Sequence, residues 1–440
     1  MFQPHDALPL PPRPSIDQYK KLAKDLLKAS RSNDPAAIAN WAANWIASLS
    51  RLSDHTTEDP ASQVGSPVIL SGVAAQRSGA DAQSKDPLPA GRCTSAKRSS
   101  LDSFSPHHTT QLEQFAREKL SETPTLAAAQ FVIARAHGFE SWPKFANHLE
   151  ATARANDPVN HFEQAADAIV TGDAATLSHL LKKHPDLIQS HSTRRHNATL
   201  LHYIAANGIE DYRQKTPQNI VPIAKLLLGS GADVNAIADL YGGSTTLSLT
   251  ATSVHPERAG VQEALLQLLL DHGATLNENS TSGGIVNSCL ANGRARAAEF
   301  LASRGAILDL EAAAGVGRLE IVKTFFNEST PASAATTLKR DRGFLWACEY
   351  GRNEVIDFLL NQGVPIQTQA NTGQTALHWA VIGGHADTIT LLLSRGAQLE
   401  AKNMYGGTAL AQAQWSAAHA DSTIDYTEII DLLKRHGATE

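Results

Sequence analysis

Histidine most invites a chemical reading of this chain, with 18 in 440 residues. Zinc sites draw on His, Cys and carboxylate side chains at short spacings. The nearest candidates are His107-His108 and the pair His191 and His196, in loop-like sequence with no Cys or carboxylate pattern beside them. H-E-x-x-H, H-x-x-x-H and C-x-x-C do not occur, so no metal site is expected. Glycine offers no phosphate cradle. Gly242-Gly243-Ser244 and Gly283-Gly284 lack the spacing of G-x-x-x-x-G-K-[ST] or G-x-G-x-x-G, whose glycines let backbone N–H groups close on phosphate. No G-x-S-x-G elbow presents a serine nucleophile. Nothing in the spacing pairs a Ser or His with an acid. The chain is therefore expected to hold no catalytic residue and no cofactor, and not to be an enzyme.

Composition narrows the classes further. A net charge of −6 and a pI near 6.3 argue against a general attraction to nucleic acid or anionic membrane. Cys93, Cys289 and Cys348 are too few and odd in number for a disulfide framework, which points to a reducing compartment. Residues 1–16 lack a basic start and an apolar run, so no signal peptide is expected. No run of apolar residues is long enough to span a bilayer. Asn197, Asn279 and Asn327 head glycosylation-type triplets, read as chance without secretion. A cytoplasmic monomer is the expected state.

The elements are mostly helical. Residues 1–14 are proline-rich and read as an extended lead-in. Ser15 is placed to cap a helix over Ile16 to Ala29, with Tyr19, Leu22, Leu26 and Leu27 on one face. Asp34-Pro35 opens a second, to about Leu49, with Ile38, Trp41 and Trp45 as its stripe. Residues 51–108 change character. Ser, Thr, Asp, Gly, Pro and Ala dominate, and Phe104 is the only Phe, Trp or Tyr. Such a segment buries too little to offset its ordering entropy, so it reads as a disordered insertion, with Val68-Ile69-Leu70 as an apolar island. Helical pattern resumes with Leu112, Phe115 and Leu120. Thr125 can cap the next helix, Gly138 ends it, and Ser141-Trp142-Pro143 opens another with Phe145 and Leu149 inward. Residues 15–50 and 109–156 are read as one helical module.

From 157 to 440 the chain repeats. Its clearest unit is Thr372 to Asn403, with Thr375-Ala376-Leu377-His378-Trp379-Ala380, then Gly384-His385, Leu391-Leu392-Leu393 and Gly396-Ala397. That order resembles an ankyrin repeat, a helix pair of about 33 residues with the signature T-P-L-H-x-A. Thr199-Leu200-Leu201-His202 is close to it; Thr245-Thr246-Leu247-Ser248 and Thr408-Ala409-Leu410-Ala411 replace the His. A ruler of helix-ending glycines, Gly231, Gly273, Gly305, Gly363, Gly396 and Gly437, gives gaps of 42, 32, 58, 33 and 41. The longest is read as two short repeats with an irregular junction near Glu328 to Ala335. The array then holds about eight helix pairs. Extra residues fall near Ile209–Asn219, Val254–Gly260 and Ala417–Asp425, each between the two helices of a repeat. Register puts Tyr203, Trp346 and Trp379 in one core slot, and makes Cys289 and Cys348 buried structural thiols. His202 and His378 read as structural. The fold class is all-α, an ankyrin-repeat solenoid preceded by a small helical module. The stretches Leu10 to Ala29 and Ala127 to Glu150, above all the GFESWPKF portion, are similar to a module found before ankyrin repeats in many bacterial proteins.

The resemblance implies a surface rather than a reaction. Ankyrin arrays bind proteins through finger tips and the exposed positions of the first helices, which line a concave face. Register carries those slots to Arg195, His196, Asn207, Tyr241, Thr252 and Asn292. It continues to Glu349, Tyr350, Asn371, Thr372, Gln374, Ile382, Met404, Tyr405 and Trp415. Glu349 is the lone carboxylate among these slots. The function expected is a non-catalytic scaffold binding an unidentified protein partner, with no nucleic acid and no membrane. The alternative is a regulatory or enzymatic activity in the N-terminal module, with the array as a targeting domain.

Overall fold

A computed structural model describes residues 6–11, 14–53, 106–121, 124–277, 283–326, 334–419 and 424–439. The described residues up to Thr275 form one compact unit, and those from Leu276 onward a second.

The first unit opens with five helices: α1 (Ile16–Ser30), α2 (Ala37–Ser53), α3 (Pro106–Ser121), α4 (Leu126–Ala136) and α5 (Trp142–Thr152). Of the stretch 51–108, residues 54–105 lie outside the described residues. Its ends are helical, because α2 runs on to Ser53 and α3 starts at Pro106. Thr125 and Ser141 cap α4 and α5 by accepting from the N–H groups of Ala128 and Lys144, at 3.2 and 3.5 Å. Ser15 makes no such bond to α1. Pro35 sits in the turn before α2, where Asp34 accepts from Ala36 N–H at 2.8 Å. Tyr19, Leu26, Trp41, Trp45, Leu112, Phe115, Ile133 and Phe145 share one core, so both sides of the long insertion fold together. Leu8, in the stretch read as a lead-in, is 1% exposed and donates its N–H to the Ala136 carbonyl at 2.7 Å. Its own carbonyl bonds His137 Nδ1 at 2.9 Å. His137 stacks on Phe145, and burial pushes its pKa down to about 3, so the ring is neutral.

Helix pairs follow. α6 (Pro158–Thr171) and α7 (Ala174–Lys183) make the first, joined through left-handed Gly172 and capped by Asp157 and Asp173. The next repeat differs from expectation. Its first helix is a short 3-10 segment, Leu200–Ala205, closed by Ala206 at φ 47°. There the chain leaves the helix because the extra residues after it turn inward, as described below. α8 (Ile220–Gly229) completes the pair. The next finger is a minimal hairpin, β1 (Ile237–Ala238) against β2 (Ser244–Thr245), with Ile237 opposite Thr245. It leads into α9 (Thr246–Thr252), the inserted α10 (Val254–Arg258) and α11 (Gln262–Asp271). Buried Gln262 ties this insertion down, donating to the carbonyls of Thr250, Ala251 and Ser253.

The second unit continues with α12 (Gly284–Ala291), α13 (Ala295–Ser303), α14 (Leu310–Gly315), α15 (Leu319–Thr324), α16 (Ala334–Glu349) and α17 (Asn353–Asn361). It ends with α18 (Ala376–Gly383), α19 (Ala386–Ser394), α20 (Ala409–His419) and α21 (Tyr426–Arg435). α16 begins at Ala334, so the end of the stretch read as an irregular junction is helical. The junction at 327–333 and residues 420–423 of the last insertion lie outside the described residues. The ruler glycines all adopt positive φ, between 83° and 93°, the left-handed C-cap that only Gly takes without strain.

Two polar devices link successive repeats. His378 Nδ1 lies 2.9 Å from Thr375 Oγ1 and accepts from Thr375 N–H at 3.2 Å, and its Nε2 bonds the Gly407 carbonyl at 3.0 Å. His202 does the same with Thr199 and the Ala236 carbonyl. Both rings therefore staple one finger to the next, and burial keeps their pKa values low. Finger amides form a second ladder: Asn235 to the Gly273 carbonyl, Asn277 to Gly305, and Gln367 to Gly396, at 3.0 to 3.1 Å. Tyr203, Trp346 and Trp379 are all buried, as are Cys289 and Cys348. Burial drives the Cys289 thiol up to about 12.

Candidate functional site

In the second unit, the finger Asn403–Gly407 is closed by its own hydrogen bonds. Asn403 Oδ1 accepts from the N–H groups of Tyr405 and Gly407, both at 3.0 Å. Met404 N–H donates to the Thr372 carbonyl of the preceding finger at 2.9 Å. Thr372 Oγ1 in turn donates to Gln374 Oε1 at 2.8 Å. This double finger, with exposed Asn371 beside it, holds Met404 and Tyr405 out in solvent, 64% and 69% exposed. Trp415 on α20 is 51% exposed, and its ring stacks on His419 at 4.8 Å. Ile382 is half-buried on α18. It and Trp415 are each the seventh residue of neighbouring helices, so register brings them onto the same row.

In the first unit three of the register-selected residues form one chain of bonds. Tyr241, with φ 50° and 63% exposed, donates its hydroxyl to Asn207 Oδ1 at 3.2 Å. Asn207 Nδ2 donates to the Leu249 carbonyl and to Thr252 Oγ1, at 3.1 and 3.0 Å. Asn207 and Thr252 are thus half-buried supports, and Tyr241 is the group they present.

Several register-selected residues do not face solvent. His196 is 1% exposed, 3.5 Å from Glu210, because the residues inserted after Gly208 fold back beneath its finger. Glu349 is also buried, and Tyr350, half-buried, donates its hydroxyl to the Leu290 carbonyl at 2.5 Å. Register names the face of α16, but α14 and α18 pack along this helix and the Tyr350 hydroxyl reaches back to α12. Asn292 is exposed but donates to the Ser288 carbonyl of its own helix. Arg195 is half-buried at a separate groove.

Glu349 carries a consequence. Burial raises its carboxyl from 4.5 to about 8. Its folded pKa exceeds the unfolded one, so the stability it permits is full below about 4.5 and is lost as pH rises through about 8. Glu349→Gln is expected to stabilise the second unit by roughly 4 kcal/mol at pH 8 and by nothing at pH 4. Urea unfolding at the two pH values checks this; an equal effect at both would mean Glu349 does not titrate there.

Sequence reading missed a buried ionic cluster in the first unit. The extra residues between the helices of the repeat that α8 completes carry Glu210 and Arg213 into the interior, with Tyr212 beside them. Arg213 Nη1 lies 2.9 Å from Glu163 and its Nη2 2.7 Å from Asp167. Arg194, with a fully buried side chain, pairs with Glu210 and lies 3.1 Å from Glu163. It also donates to the His137 carbonyl at 2.9 Å and lies over the Phe139 ring. Burial alone would raise the Glu163 carboxyl, but Arg213 and Arg194 overcome it and hold it at about 2. The only sequence trace is Glu163 and Asp167 at helical spacing and an insertion rich in charge. Three acids share two arginines here and each lies against at least one of them, the arrangement of a structural ion-pair cluster.

Among the described residues no group of three or more His, Cys, Asp or Glu is placed to hold a metal, and no helix is long and apolar enough to cross a membrane. The family model for ankyrin repeats matches residues 310–403 and 344–438, within the second unit. No curated protein matches the sequence. Among solved structures, the human ASB11 ankyrin repeat domain is similar at 19% identity, covering 63% of this chain and 98% of that one, with a TM-score of 0.28. The helix pairs, left-handed glycines and finger staples make the fold all-α, an ankyrin-repeat solenoid.

Proposed function

We propose that this chain is a non-catalytic binding module that holds a protein partner on the concave face of its ankyrin array. The partner's contacts centre on Met404, Tyr405 and Trp415, with Ile382, Asn371, Thr372 and Gln374 beside them in the second unit. One observation carries the reading. Met404 and Tyr405 are more than half exposed on a finger that its own hydrogen bonds lock. Large, rigid apolar side chains in solvent cost little entropy to dock and bury much area, as interface anchors do. Tyr405→Ala and Trp415→Ala are each expected to weaken partner capture by roughly tenfold or more, with Tm changed by no more than about 1 °C. Tyr350 is left out because its hydroxyl supports the fold. The check is a pull-down from the source cells with wild type and the double variant. Equal capture by a folded double variant would overturn the assignment.

A further inference from the structure

The first unit has a groove of about 950 Å³ where α4 and α5 meet the finger around Arg195. Its walls are fixed. Arg195 N–H donates to the Gly138 carbonyl at 2.9 Å, and His148 Nδ1 is 2.7 Å from Thr193 Oγ1. The charges along it are unbalanced. Lys144 is paired with Glu140, and Arg194 belongs to the buried cluster. Arg135 and Arg195 are different. Both line the groove. Neither guanidinium makes a hydrogen bond or a direct ion pair among the described residues, although the charge of Glu140, itself bonded to Lys144, reaches both. Arg135 is only 9% exposed, and its Nε is buried without a partner. Burial, and next the charge of Arg195, push its pKa down, against the charge of Glu140. A guanidinium with a buried, unbonded Nε beside a second cation is an expensive arrangement unless an anion completes it.

We propose that this groove binds an acidic peptide segment, with a side-chain oxyanion held between Arg135 and Arg195. The space far exceeds one small anion. Asn147 and Thr193 in the wall can bond an extended peptide backbone. Glu140 and Asp239 on the same groove repel a continuous polyanion but leave room for an isolated carboxylate or phosphate. This site is independent of the Met404 and Tyr405 surface.

The test uses the full chain and a short labelled peptide of alternating Glu and Ser, read by fluorescence anisotropy. Parallel arms use the Gln-Ser counterpart, a phosphoserine version, and inorganic phosphate as competitor. The Glu-Ser or phosphoserine peptide is expected to bind, more weakly as salt rises, and the Gln-Ser peptide is not. Arg195→Glu and Arg135→Met are each expected to weaken binding by roughly tenfold or more. Arg135→Met is further expected to leave Tm unchanged or raised, as a residue kept for binding rather than stability should. Arg195→Glu, at a half-exposed position, carries the test if Arg135→Met fails to fold. Tyr405→Ala is expected to bind the peptide like wild type, which separates this site from the proposed partner surface. No binding, equal binding of the Gln-Ser peptide, unchanged affinity in Arg195→Glu, or phosphate binding as tightly as the peptide would each overturn the proposal.

Discussion

Arg194→Ala is expected to cost the first unit about 3–5 kcal/mol, the usual penalty for removing one partner of a buried ion pair. That corresponds to a Tm drop of roughly 10 °C for a unit of this size. The magnitude follows from what is left behind. Glu210 would keep only Arg213 at 3.4 Å and His196 at 3.5 Å. The His137 carbonyl would lose its guanidinium donor. The Phe139 face would lose the cation above it, and a cavity would open. Arg194→Lys is not expected to rescue, because an ammonium cannot reach His137, Glu163, Glu210 and Tyr212 with a planar fork. The contrast is Lys20→Ala. Lys20 pairs with Asp17 at 3.1 Å, but the two side chains are 52% and 83% exposed, so its loss is expected to cost less than about 0.5 kcal/mol. Denaturant unfolding of the three variants checks the ordering. A loss below about 1 kcal/mol for Arg194→Ala would mean that water reaches the cluster and screens it.

What could be read in the sequence was what repeats or is local. The left-handed glycines, the Thr-His staples, and the caps at Thr125 and Ser141 each depend on residues a few positions apart. The slot of Tyr203, Trp346 and Trp379 follows from register alone, and all three are core. Register also found Met404, Tyr405 and Trp415, because an exposed position on one finger or helix is repeated on the next. It failed where one repeat departs from the pattern and covers its neighbour. Register puts His196 on a finger, yet the insertion carrying Glu210 folds back beneath that finger and buries it. Glu349 and Tyr350 follow the right row of α16, but this long helix packs between α14 and α18 and its final turn is buried. The ionic cluster was out of reach for a related reason. Arg194 meets Glu163 across 31 positions and Arg213 meets Asp167 across 46, and charges that far apart have no period to betray them. The burial of Leu8, in a stretch whose prolines read as a lead-in, depends on the end of α4, far along the chain.

Gly383→Ala is expected to destabilise the second unit by about 3 kcal/mol or more, although the same change in an ordinary helix gains up to about 1 kcal/mol. Gly383 is the last residue of α18, and the sequence singles out its neighbour Gly384 as the turn. Gly384 needs its positive φ of 76°, whereas Gly383 has helical backbone that any residue could adopt. The constraint at Gly383 is space. A Cβ there would overlap the backbone carbonyl oxygen of Glu349 and meet His385 Cδ2 at 2.7 Å. A carbonyl oxygen cannot rotate aside as a side chain can, so α16 and α18 would have to part. Between them lie Phe344, Cys348, Leu377 and Val381, all within one core. Gly229→Ala supplies the control. That glycine ends α8 with nothing near the new methyl group, so the same substitution is expected to be neutral or to stabilise by up to about 1 kcal/mol. Opposite signs in urea unfolding would establish that α16 and α18 touch backbone to backbone at this glycine. A gain at both positions would contradict that close approach. Partner capture by Gly383→Ala should fall as well, since parting the helices displaces the row that carries Ile382 and Trp415.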